Sequence, residues 1–342
     1  MQKISEKGSV ISLDSFIYSL NATVPVFAVM ILGYFLKQWN IIDEHFAQVS
    51  NKFVFKICLP CMVFQDLAGT DIRHHFDLNY IGFCFFATLI SILAIWILAR
   101  RLIPDPHMTG AFVQGAYRSS AAILGIAFIQ NIYGTSGMAP LMIIGSVPLY
   151  NIFAVVILTL ENNDSTNGLS ASNAPGTITH VPKTGQFKTA CIGVAKNPII
   201  IGIVLGLLAS YFNLDFPNMI DKSIHNLAVL ASPLALIAIG ATFEGRKAFA
   251  KIKPTIIASS LKLVVLAAIF LPLAVWLGFR DQKLVAIIIM LASPCTPTSY
   301  IMAKNMNGDD VLAASIVVTT TLFSSITLTG WIFIMRCLEL IQ

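Results

Sequence analysis

The stretch KICLPCMVF, residues 56–64, decides how the chain is read. In a soluble protein its C-x-x-C pattern would point to a thiol–disulfide centre. Inside a membrane helix the proline matters more, because it removes an i→i−4 hydrogen bond and crowds the preceding turn. Composition chooses between these solvents. The chain is 56% hydrophobic and only 11% charged, with a mean hydropathy of +0.78. A soluble domain is about 25% charged, so this chain lacks the polar surface to face water all round. In lipid, an apolar run of roughly 20 residues spans the hydrocarbon as a helix. Its backbone must pair with itself there. The alternating pattern of a transmembrane barrel is absent, so the fold class is an all-α membrane protein.

Working outward, ten apolar stretches read as spans: 14–38, 44–67, 79–102, 107–132, 137–160, 191–212, 219–243, 253–278, 281–304 and 308–337. The most polar break is ENNDSTNGLSASNAPGTITHVPKTGQFK, 161–188, which has no helical apolar stripe and reads as a linker. The organisation expected is a five-helix repeat over 1–160, a cytoplasmic linker over 161–190 and a second five-helix repeat over 191–342. The first thirteen residues are polar, and the apolar run after them is too long for a signal-peptide core, so it reads as a retained span.

The halves align. In one ungapped frame Pro25 falls on Pro198, Gly33 on Gly206, Ser50 on Ser223, Pro60 on Pro233 and Ala68 on Ala241. After one residue of slip Ser119 falls on Ser293, Asn131 on Asn305 and Gly134 on Gly308. Five spans per half is an odd number, so the second repeat enters the membrane from the opposite side. Loops on the linker's side carry eleven basic residues against seven on the other side. The linker is therefore expected in the cytoplasm and both termini outside, in the cell (inner) membrane.

The repeat pairs Pro60 with Pro233 but not Cys58 or Cys61 with cysteines. Helix breaks at matched positions are thus the favoured meaning of CLPC, with a packing kink or a thiol centre as alternatives. A sharper break is SPCTPTSY, 293–300, where Pro294 and Pro297 stand among Ser293, Thr296, Thr298, Ser299 and Tyr300. Loosened backbone and clustered hydroxyls at mid-depth can hold a polar ligand; alternatively the hydroxyls bond back to their own helices. The counterpart in span four, RSSAAILG (118–125), offers Ser119, Ser120 and Gly125. Arg118 lies about ten residues into that span, roughly 15 Å deep, where an intramembrane charge is a functional candidate. It can meet a carboxylate with a bidentate fork, simply clamp the fold, or snorkel to the cytoplasmic side. Lys262 reads as a snorkelling side chain, and Asp66 and Glu161 as residues of span ends. GIVLG (202–206) is a small-xxx-small packing pattern, and NGDD (307–310) a turn with an acidic cap for span ten. There is no nucleotide-binding, metalloprotease or nucleophile-elbow motif, no metal-ligand spacing around His74 and His75, and no nucleic-acid patch. No cofactor and no enzymatic activity are expected.

Taken in order, VPVFAVMILGYFLKQWNIID (24–43), NKFVFKICLPCMVFQDLA (51–68), YRSSAAILGIAFIQNIYG (117–134), KNPIIIGIVLGLL (196–208), LASPLALIAIGATF (230–243) and SPCTPTSYIMAKNMNGDD (293–310) resemble the auxin efflux carrier family. That family includes bacterial malate and malonate permeases and the plant PIN-formed auxin exporters. The resemblance implies ten helices in two inverted five-helix repeats, with helices 4 and 9 broken and crossing. It also implies a scaffold and a transport domain moving like an elevator, and a homodimer. Substrate carboxylate would sit near Ser119, Ser120 and the Pro294–Tyr300 segment. Two positions depart from the family pattern: Ser120 replaces the usual asparagine, and Ala127 a frequent proline. Helix 4 is therefore expected to break less sharply.

The function expected is secondary active or facilitative transport of a small organic anion, a mono- or dicarboxylate such as malate or malonate. Arg118 would attract it, and Ser119, Ser120, Gly125, Pro294, Thr296, Pro297, Thr298, Ser299 and Tyr300 would line its site. The coupling ion is left open between a proton and sodium. The alternatives are a sodium-coupled bile-acid-like symporter and, from another class, a membrane thiol oxidoreductase using Cys58 and Cys61.

Overall fold

The computed structural model describes residues 24–25, 27–68, 77–121, 129, 133, 138–169, 196–212, 214, 216–242 and 251–341. Among the described residues the secondary structure is entirely helical, without a strand. In chain order the helices are α1 (Phe27–Gln38), α2 (Glu44–Phe53), α3 (Leu59–Ala68), α4 (Leu78–Leu102), α5 (Pro106–Tyr117), α6 (Ala139–Leu169) and α7 (Pro198–Phe212). They continue as α8 (Asn218–Val229), α9 (Ala231–Thr242), α10 (Ile252–Ser260), α11 (Leu266–Trp276), α12 (Asp281–Ala292), α13 (Thr298–Asn305) and α14 (Asp310–Cys337). A π-helical turn, Val54–Cys58, joins α2 to α3, and another, Leu261–Val265, joins α10 to α11.

Five stretches among the described residues are long and apolar enough to cross a bilayer: Leu78–Leu102, Ala139–Glu161, Asn218–Thr242, Ile252–Trp276 and Asp310–Cys337. Large apolar side chains point outward from them and from shorter helices, such as Phe86, Ile90 and Ile97 on α4 and Ile201, Leu205 and Leu208 on α7. An outer surface of this kind suits lipid. Helix starts are marked by aspartates, whose carboxylates accept otherwise unpaired N–H groups. Asp43 accepts from Phe46 N at 2.7 Å, Asp77 from Tyr80 N at 3.1 Å and Asp105 from His107 N at 3.0 Å. Asp309 accepts from Leu312 N at 2.9 Å after Asn307 turns with φ 57°, as NGDD predicts.

The helices pack in two groups. In the first, α3 lies along α7 and α8, α9 packs on α2, and α1 meets α9. In the second, α4, α5 and α6 pack together and against the α10–α14 set. Glycine makes the tightest contacts of the first group. A Cβ at Gly202 would lie 2.6 Å from the Pro60 carbonyl oxygen, and one at Gly206 2.9 Å from that of Phe64. On the other side of the group, Gly33 abuts the Ile237 backbone and Gly240 that of Met30.

Neither CLPC nor its counterpart opens its helix. Pro60 sits in the first turn of α3, just after the π-turn; Pro233 sits in the first turn of α9, after a one-residue interruption at Leu230. The helical run continues through both prolines, and the π-turn before Pro60 and the interruption at Leu230 before Pro233 take up the register where each missing N–H leaves a carbonyl unpaired. Cys58 and Cys61 are free, with Cys58 buried.

Ion pairs tie loops together at the two ends. Lys251 pairs with Asp309, Lys304 with Asp310, and Arg100 with the buried Glu161 at 2.8 Å. At the opposite end Lys283 pairs with Asp77 and holds that carboxyl below its usual range.

Candidate functional site

The centre of the second group is a crossing of two non-helical segments, 118–120 and 293–297. α12 stops at Ala292, and Ser293 is extended, with φ −72° and ψ 159°. Pro294 explains this, since the residue before a proline is driven out of the helical region. Pro297, with φ −55°, then opens α13, as its fixed φ suits a helix start. In the other half α5 ends at Tyr117, and Arg118 is extended, with φ −69° and ψ 134°. The softer break expected there is therefore a full departure from helix over 118–120. No local proline imposes it; the partner segment does. Ser120 N donates to Pro294 O at 3.0 Å, Ser119 Oγ donates to Ile289 O at 3.2 Å, and the Ser119 and Ser293 hydroxyls touch. Each break satisfies backbone groups the other leaves open.

The hydroxyls divide their bonds. Ser299 Oγ donates to Thr296 O at 2.7 Å, and the Thr296 and Thr298 hydroxyls are 3.1 Å apart. From α14, Thr320 Oγ1 accepts from Cys295 N at 3.0 Å while donating to Ile316 O at 2.7 Å. Tyr300 turns toward the first group, its hydroxyl 2.8 Å from Thr242 Oγ1 and 3.4 Å from Asn51 Nδ2.

Arg118 is buried, 4% exposed. Its guanidinium donates to Asn151 Oδ1 at 2.6 Å and to Met302 Sδ at 2.8 Å. Among the described residues no carboxylate pairs with it, so a buried cation meets only neutral acceptors. Beside it, a cavity of about 30 Å³ is lined by Met62, Asp66, Ser119, Ser120, Val147, Tyr150, Asn151 and Thr296. That volume suits one or two waters. It lies where α3 of the first group faces the crossing.

The cavity thus gathers Ser119, Ser120 and Thr296 from the sequence-predicted set. Arg118 reaches it through Asn151. Pro294 and Pro297 shape the backbone, while Thr298, Ser299 and Tyr300 lie along α13 outside the lining. Gly125 and Ala127 lie outside the described residues. Three residues extend the predicted set. Asn151 is a lone amide in an apolar run, which is a readable signal. Asp66 stands near the end of α3, as expected, and also lines the cavity. Lys262 was expected to snorkel; instead it is fully buried and donates to Met290 O at 3.1 Å and Leu291 O at 2.9 Å.

An apolar helical body, a broken-helix crossing and a buried cation beside a polar cavity define a membrane transport protein. The chain belongs to the membrane transport protein family of auxin efflux carrier type, whose model matches residues 18–332. It is 22% identical to an uncharacterized transporter of Methanothermobacter thermautotrophicus, over 92% of this chain and 98% of that protein. It is also 22% identical to the uncharacterized transporter YfdV of Escherichia coli K12, over 92% and 96%. A Rhizobium meliloti protein named "Putative malonate transporter" is 24% identical, over 92% and 94%.

Proposed function

We propose that this chain carries a small organic anion, a mono- or dicarboxylate such as malonate or malate, by elevator-type alternating access. The observation that carries the proposal is Arg118: a buried guanidinium with no carboxylate partner among the described residues, one amide away from a hydroxyl-lined cavity. Uncompensated charge in a low-dielectric site is costly, and a substrate carboxylate offsets it. The name of the Rhizobium meliloti relative agrees with this cargo class. The present cavity is smaller than a dicarboxylate, so binding requires α3 and the crossing to separate. That is motion between the two packing groups, the first a scaffold and the second the transport body.

The ten-span inverted repeat is part of the same reading. The helices outside the five long apolar stretches fall where the sequence puts the other spans. Gly33 against Ile237 and Gly206 against Phe64 are equivalent contacts under the alignment of the halves. Every ion pair described above joins helix ends or loops that ten spans would put on one side, which supports the reading. The repeats at 1–160 and 191–342, the cytoplasmic linker, the outward termini, the inner-membrane location and the homodimer complete the proposal.

The test is uptake of labelled malonate and malate into proteoliposomes by wild type and Arg118→Ala at matched incorporation. Saturable uptake that falls at least about tenfold in the variant is expected, the size of one lost charge-assisted pair. Equal uptake by both proteins would remove Arg118 from the site. No uptake of any carboxylate by folded wild type would end the organic-anion reading.

A further inference from the structure

The carbonyl end of α12 is the least explained part of the crossing. A helix that stops inside the membrane leaves its last carbonyls without helical partners, and its C-terminus carries a partial negative charge. That is the wrong sign for an anion site. Here Ile289 O accepts from Ser293 N at 3.0 Å and from Ser119 Oγ at 3.2 Å. Met290 O accepts from Tyr150 Oη at 3.2 Å. Met290 O and Leu291 O then share the Lys262 amino group, at 3.1 and 2.9 Å. Lys262 sits in the π-turn Leu261–Val265; such turns are rare and concentrate at functional sites. No carboxylate among the described residues pairs with it.

In cation-coupled carriers, the C-terminal ends of broken helices and unwound carbonyls hold the coupling cation. We infer that Lys262 is a resident cation. Its ammonium, tethered to the π-turn between α10 and α11, occupies the carbonyl end of α12, in the place a metal cation would take. Two consequences follow. The crossing needs no sodium, because the position is already filled by a tethered amino group. The negative end of α12 is also neutralised, so the adjoining 118–120 and 293–297 segments present a net positive field with Arg118. The second consequence rests on the organic-anion reading; the first does not.

The experiment therefore has two arms. In the first, thermal unfolding of purified wild type is followed in sodium chloride and in choline chloride at equal ionic strength. Equal midpoints at every concentration are expected; a saturable, sodium-specific rise would overturn the inference. This arm uses the native protein and does not depend on any variant folding. In the second arm, malonate binding is titrated for wild type, Lys262→Gln and Lys262→Arg, each first shown to unfold cooperatively. Glutamine keeps a donor but not the charge, so a loss of affinity of about tenfold is expected, with arginine restoring most of it. A merely structural cap would lower the unfolding midpoint of the glutamine variant and leave its affinity unchanged, and that result would also overturn the inference. If wild type ignores both sodium and every carboxylate, the resident cation stands and the organic-anion function fails.

Discussion

At the scale of single residues, the site is a balance of charges that cannot all be satisfied at once. In the proposed carrier Arg118, one amide away from the cavity, favours an anion, whereas Asp66, which lines the cavity, repels one while it is ionised. An anion entering beside Asp66 is therefore expected to bring a proton with it, and uptake should rise as the pH falls. Asp66→Asn removes the titrating group and should flatten the pH profile of uptake into proteoliposomes while leaving activity at acid pH. A variant with the wild-type pH slope would exclude Asp66 as the proton site. Of these residues, Arg118 was legible as a candidate because a guanidinium inside an apolar span is a functional candidate by default. Asp66 does stand near the end of its helix, but linear counting gives a position along a helix, not which cavity a neighbouring helix brings to it. Lys262 was misread for a related reason. A long basic side chain usually reaches for water, and only the carbonyls of α12, distant in sequence, offered it an alternative.

At the scale of elements, glycine and proline set how closely helices approach and where they stop. The small-xxx-small pair Gly202 and Gly206 does what its pattern predicts, bringing α7 onto the backbone of α3. The α1–α9 contact is tighter still, since a Cβ on Gly240 would fall on the Met30 carbonyl oxygen. Backbone cannot yield as a flexible side chain does, so Gly240→Ala is expected to cost about 1–3 kcal/mol, the usual range for overpacking. Gly82 on α4 has nothing within 4 Å of such a Cβ. Gly82→Ala should therefore be neutral or stabilise by about 0.5–1 kcal/mol through helix propensity. Thermal unfolding of the two variants side by side checks this; equal shifts would mean that the α1–α9 approach is looser than described. The prolines were legible only in part. Pro294 and Pro297 carry their break in the local sequence, but the break at Arg118 is imposed by hydrogen bonds from the other crossing segment. No reading of 118–125 alone could supply that partner.

At the scale of the whole molecule, the question is whether the two packing groups move as bodies. Their contact beside the cavity is narrow and polar. Tyr300 reaches Thr242 and Asn51 through its hydroxyl, and Asn305 Nδ2 donates to Asn51 O at 3.2 Å. A few hydrogen bonds of roughly 1 kcal/mol each are a modest hold, suited to an interface that slides in each transport cycle. The interiors of the groups are different: glycine-backbone contacts within one, and the interlocked crossing within the other. These should persist through the cycle. Joining the groups at Asn51 and Asn305 should therefore stop transport without unfolding either body. In a background free of native cysteines, Asn51→Cys with Asn305→Cys, bridged by a short bifunctional thiol reagent, is expected to abolish most uptake. Each single variant treated with the same reagent should keep it, and cleaving a reducible bridge should restore it in the pair. Undiminished uptake by a fully cross-linked pair would mean that α2 and α13 travel together. The sliding surface would then lie elsewhere, and the site would have to open by local motion at the crossing.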